Sequence, residues 1–208
     1  MNGRTLTAVV MVSCGLAGLA LQGCASGSKK AKAPMSEEAM MAAMMQAATP
    51  GPMHERLAST QGTWEGTMTW WMAPDAPPST SKTKTVITPI MGGRYTQADT
   101  SSMMDMGGGQ TMPFTGMGLY GYNNTDKQFE SIWIDSMGTS MIKFTGEMKP
   151  DGSIVWFGKF TDPTTGNETW MREVERMEGP NTMVLEFWGP RPDGKGEYRS
   201  GEIRSTRR

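Results

Sequence analysis

Hydrophobic and polar positions alternate with a period of two from residue 62 onward. In the first such stretch Trp64, Gly66, Met68 and Trp70 alternate with Thr63, Glu65, Thr67 and Thr69. That spacing puts one set on each face of an extended strand, so one face can be buried and the other wetted. Similar segments follow at residues 81–90, 94–101, 114–122, 129–135, 140–148, 154–160, 170–177, 183–188 and 198–204. Turn formers separate them, among them Gly92-Gly93, Asn123-Asn124, Pro150-Asp151-Gly152, Pro163-Thr164-Thr165-Gly166 and Pro192-Asp193-Gly194. About nine or ten short strands at this spacing, with no long amphipathic helix between them, exclude a parallel α/β fold. They predict an all-β, antiparallel, closed or nearly closed barrel of about 8–10 strands, with a packed interior or room for one small ligand. Residues 103–112, rich in Met and Gly, are expected to form an irregular loop.

The first fifty residues follow other rules. Arg4 is the sole charge in residues 1–23, and an apolar run spans 6–21, short for a membrane span and suited to a signal peptide. The run ends Leu21-Gln22-Gly23-Cys24, which resembles the bacterial lipobox. The resemblance implies lipidation at Cys24, with the membrane as a partner through acyl chains that each add about 0.8 kcal/mol per buried CH₂. Ala25 and Ser26 follow the cysteine in place of an Asp, so an outer-membrane anchor facing the periplasm is expected. Residues 24–34 are small and polar and read as a tether. Residues 35–51 predict a Met/Ala-rich helix, with Ser36 as its cap, Glu37 and Glu38 in the first turn, and Pro50 and Pro52 beyond its end. Met40, Met41, Met44 and Met45 share one face. That face either lies on the barrel or a partner, or offers thioethers to Cu(I). Residues 52–60 predict a second short helix that turns Leu57 toward the barrel end. The barrel domain is thus expected over 52–208.

Composition narrows the chemistry. Twenty Lys and Arg against 21 Asp and Glu give no cationic face for nucleic acid. No cysteine follows Cys14 and Cys24, so no disulfide or thiolate cage holds the domain. Seven tryptophans, each contributing roughly 1.5–3 kcal/mol on burial, suffice for a core. His54 is the only histidine, which excludes a nucleophile–His–acid set and a His-based metal site; a capping or surface role is expected. Gly107-Gly108-Gly109 lacks the Lys-Ser/Thr of a phosphate loop, and Asp99, Asp105 and Asp135 have no paired acid in sequence. No enzymatic activity and no cofactor are expected. The binding candidate is the barrel interior, lined by Trp64, Tyr120, Tyr122, Trp133 and Trp156 together with Arg94 and Arg172, whose guanidinium groups would meet a carboxylate or phosphate head group. The alternatives are a solid core in an envelope protein that acts through the Met helix, or Cu(I) binding there or at Met103, Met104, Met106 and Met112.

Several short motifs occur in one register: Pro52-Met53-His54-Glu55 before Gly62-Thr63-Trp64, Met91-Gly92-Gly93-Arg94-Tyr95, Pro113-Phe114-Thr115-Gly116-Met117-Gly118, Gly121-Tyr122-Asn123-Asn124, Trp133-Ile134-Asp135-Ser136-Met137-Gly138-Thr139, Asp162-Pro163-Thr164-Thr165-Gly166 and Arg172-Glu173-Val174. Together they resemble the bacterial domain of unknown function 1579, across about residues 50–207. The resemblance implies a calycin/lipocalin-like barrel, with Gly62-Thr63-Trp64 similar to the Gly-x-Trp of the first lipocalin strand, and carries no activity with it. Nitrobindin-type barrels share that start and hold haem through a late histidine; no histidine follows His54 here, so no haem is expected.

Overall fold

A computed structural model describes residues 35–105 and 109–208. Cys14, Cys24, the tether and Met106 lie outside the described residues.

Ten antiparallel strands close into a barrel in simple chain order: β1 (Gly62–Trp70), β2 (Ser79–Ile90), β3 (Tyr95–Asp105), β4 (Thr111–Asn123), β5 (Gln128–Asp135), β6 (Ile142–Met148), β7 (Ile154–Thr161), β8 (Glu168–Met177), β9 (Thr182–Pro190) and β10 (Glu197–Arg207). The last strand closes on the first, with Trp64 opposite Arg207 and Trp70 opposite Gly201. Closure removes the free edge that a sheet this long would otherwise expose.

The turns form from the residues that signalled them. At four connections an Asp carboxylate accepts hydrogen bonds from the backbone two residues on: Asp135 from Met137 N at 2.8 Å, Asp151 from Ser153 N at 3.0 Å, Asp162 from Thr164 N at 2.8 Å, and Asp193 from Lys195 N at 2.9 Å. Side-chain and backbone donors at Ser153 and Thr164 hold the Asp151 and Asp162 carboxyls below their ordinary range.

The expected loop at 103–112 is shorter than the sequence suggested. Met103 pairs with Pro113 and Met104 with Met112, so β3 and β4 run on as a two-stranded arm. Pro113 fits there because β5 stops pairing with β4 at Gly116 and Asp135, which leaves no donor needed on its far side.

Helix α2 (Pro52–Ala58) plugs one end of the barrel. Pro52 occupies its first turn, and His54 Nδ1 accepts the Gly51 N–H at 3.0 Å. The histidine caps as expected, but it is buried, with its ring edge-on to Tyr122. Leu57 packs into a cluster with Phe129, Phe144, Ile154 and Trp156. Helix α1 (Glu37–Ala48) buries no residue, and Met40, Met41, Met44 and Met45 are 49–61% exposed, so the Met face does not lie on the barrel. The Asn124 amide holds the helix end by donating to Ala47 O at 3.1 Å and Thr49 O at 2.8 Å.

Candidate ligand-binding lumen

Directly paired residues of an antiparallel ladder share a face, so the registers sort every side chain into interior or exterior. Trp64, Met68 and Trp70 point inward from β1, and with them Ile203 and Gly201 from β10, Leu185 and Phe187 from β9, and Met171, Glu173, Glu175 and Met177 from β8. The set continues through Ile154 and Trp156, Phe144, Phe129 and Trp133, and Tyr120 and Tyr122.

Several aromatic rings lie flat against this wall because glycines face them. A Cβ on Gly116 would stand 2.3 Å from the Trp133 ring, and one on Gly146 would stand 2.6 Å from Trp156.

Burial varies along the barrel axis. Near the α2 plug Trp64, Phe129, Ile154 and Trp156 are at most 2% exposed. The Trp64 indole donates to Thr60 O at 2.7 Å. Toward the opposite end Met68, Trp70, Trp133, Met171, Leu185, Phe187 and Ile203 face inward yet are only half-buried. Their rings and chains thus border an apolar cup with a closed floor. At its rim Trp70 and Phe187 lean together with centroids 6.1 Å apart.

The cup carries charge of a sign that the sequence reading did not anticipate. Arg94 is exposed on the turn before β3 and donates to Met91 O at 3.1 Å. Arg172 lies outside the barrel, 4.9 Å over the Trp188 ring, with its Nε donating to Glu197 at 3.1 Å. Neither lines the interior. The reason is parity: β8 is amphipathic in two ways, because Trp170 and Val174 on the Arg172 face also have apolar company. Trp170 stacks on Phe157 at 5.8 Å on the outer surface. Alternation alone therefore left the direction of β8 ambiguous. On that same outer face, burial works against the Glu186 carboxylate, but Arg176, Trp188 and Arg199 outweigh it and hold Glu186 below its ordinary range.

The charged side chains that do face the interior are Asp135, which accepts from the Trp133 indole at 2.8 Å, Glu173, Glu175 and two arginines from the floor. Arg56 of α2 pairs with Glu175 at 3.2 Å. Arg207 spreads its guanidinium 4.6 Å over Trp64 and donates to Ser59 O at 2.8 Å and to Gln61 O. Glu173 is flanked by Trp156 and Phe187 on the neighbouring strands and has no ion pair or hydrogen bond among the described residues. Burial, then the charge of Glu175, push its carboxyl up to about 8. Tyr120 packs edge-on to Trp156 at 5.4 Å, and burial with the nearby Glu173 and Glu175 raises its phenol above the ordinary range.

Of the expected ligand contacts, Trp64 and Trp156 form the floor and wall, and Tyr122 is braced by Phe129 and His54. Tyr120 and Trp133 retain surface facing the cup. The residues missed were Glu173, Glu175, Trp70 and Phe187. The run Met171, Glu173, Glu175, Met177 at spacing two was the available signal. Two shallow open grooves of about 660 and 740 Å³ lie elsewhere, beside Lys84, Ser101 and Thr115 on the outer surface of β1–β5. Among the described residues no three His, Cys, Asp or Glu converge as a metal site.

The fold is similar to that of the S-type phycobiliprotein lyase CPES from Guillardia theta, at 11% identity, a TM-score of 0.52, and coverage of 79% of this chain and 96% of that one. It is also similar to that of Rv2717c from M. tuberculosis, at 14% identity, a TM-score of 0.54, and coverage of 77% and 99%. No curated protein matches the sequence. Residues 49–205, the barrel with its plugging helix, match the family model described as protein of unknown function (DUF1579), and the chain belongs to that family.

Proposed function

We propose that this chain is a lipid-anchored, periplasm-facing barrel of the outer membrane that binds one small apolar or amphipathic molecule, without catalysing its conversion. The observation that carries the binding role is the set of inward-facing, half-buried apolar side chains above a fully buried floor. A solid barrel would bury them all, because protein interiors close to near-crystalline density. A pocket of this kind, mostly apolar with a few polar groups, is the usual form of a small-molecule site. The anchor rests on Leu21-Gln22-Gly23-Cys24.

Native mass spectrometry after gentle extraction tests the binding role: a retained lipid-like mass supports it, and a barrel that never takes one up refutes it. Labelling with palmitate tests the anchor separately. Cys24→Ser abolishes labelling if the anchor is right, and persistent labelling refutes it.

A second reading has its own observation. The exposed Met face of α1 suits an envelope partner, which crosslinks placed at residues 40–45 would capture.

A further inference from the structure

We propose that the lumen selects an amphipathic cation, seating its ammonium group against Glu173 with the apolar body toward the Trp70–Phe187 rim. This inference rests on the lumen reading and gives its ligand a chemical class.

The geometry argues by elimination and by surroundings. Of the inward-facing charges, Arg56 and Glu175 neutralise each other at 3.2 Å, and Arg207 is spent on Trp64 and two backbone carbonyls. Asp135, inward-facing beside Trp133, accepts from the Trp133 indole and the Met137 N–H, both at 2.8 Å. Glu173 alone of these has neither an ion pair nor a hydrogen bond among the described residues, and it keeps surface facing the cup. The unpartnered Arg56 Nη1 is shut away from any ligand, because it has no exposed surface. An anion entering the cup would therefore meet an unpaired carboxyl group, whereas a cation would meet Glu173 beside the half-buried Phe187 ring, with the Trp156 ring buried on its other side. Trp156 and Phe187 are its direct cross-strand neighbours on the inner face. Aromatic rings attract cations with their negative faces. The remaining polar groups near Glu173 are Glu175 on its own strand, Tyr120 from β4 and Arg56 from α2; β7 and β9 present no charge on that face beside it.

A desolvated carboxyl beside a second acid holds its proton near neutral pH, and a cation that binds there must displace it. Uptake of the ammonium group is thus matched by release of one proton from Glu173, and the charge inside the cup stays constant. Affinity should rise with pH as Glu173 ionises.

Three water-soluble probes of one shape test this on the purified full chain by calorimetry: phenylbutylamine, phenylbutanoate and phenylbutanol. The amine should bind at least about tenfold tighter than either partner near pH 9, and should weaken about tenfold toward pH 7 as the ionised fraction falls. Glu173→Gln should remove both the preference and the pH dependence while phenylbutanol still binds, which shows that the variant is folded. Failure of all three probes overturns the lumen reading and this inference with it. Equal or tighter binding of phenylbutanoate or phenylbutanol overturns the cation assignment and leaves the lumen standing. An amine preference that survives in Glu173→Gln overturns the role of Glu173.

Discussion

Replacing Glu173 with Gln keeps the shape of the side chain and deletes one buried titration. In the folded chain burial and Glu175 push this carboxyl from an ordinary 4.5 up to about 8. Folding therefore raises its pKa, so between those values the folded state holds a proton that the unfolded chain has released. Stability must fall as pH rises through that window, and the loss is complete above the folded value. A shift from 4.5 to about 8 is worth, at about 1.4 kcal/mol per unit, at most about 5 kcal/mol. Glu173 keeps some contact with the lumen, and screening there reduces the figure to on the order of 2–4 kcal/mol. Urea denaturation of the full chain and of Glu173→Gln, run across pH, isolates this contribution because all other groups are shared. The two unfolding free energies should lie close together near pH 5 and diverge toward pH 9, with the variant more stable. Parallel curves, or a wild type that gains on the variant as pH rises, would refute the placement of Glu173 in a desolvated interior.

Other perturbations probe other contacts. Arg56→Ala leaves Glu175 unpaired beside Glu173 and should cost about 3 kcal/mol in denaturation at neutral pH, while Arg94→Ala, on an exposed turn, should change stability by less than about 0.5 kcal/mol. Gly146→Ala drives a methyl group into the Trp156 ring and should destabilise by about 1–3 kcal/mol, with an altered near-ultraviolet tryptophan signal. Asn124→Ala releases the end of α1; hydrogen exchange in residues 37–48 should accelerate while the barrel midpoint stays within about 0.5 kcal/mol of wild type.

Much of the architecture was legible in the residues alone. Period-two alternation and Asp- and Gly-centred turns are local signals, and they predicted strands, hairpins and a barrel close to those observed. A capping role for His54, one of two expected, and Leu57 as a plug followed from helix-start chemistry and the apolar residues of a short helix. The extent of β3 and β4 did not, because residues 103–105 and 111–113 pair only with each other and carry no strand signal of their own.

The interior was the least readable part. Alternation tells which residues share a face, but it does not say which face is inside when both carry apolar groups. On β8 Trp170 and Val174 argued for one face and Met171 and Met177 for the other, and Arg172 was expected inward. Only closure of the sheet decided it. Once β10 pairs with β1, Trp64 sets the parity of every strand through the ladder, and the acids turn inward while the arginines of Arg94 and Arg172 stay outside. Sequence determined the strands and their turns because those depend on neighbours along the chain; the sign of charge in the cup depends on a contact between its two ends.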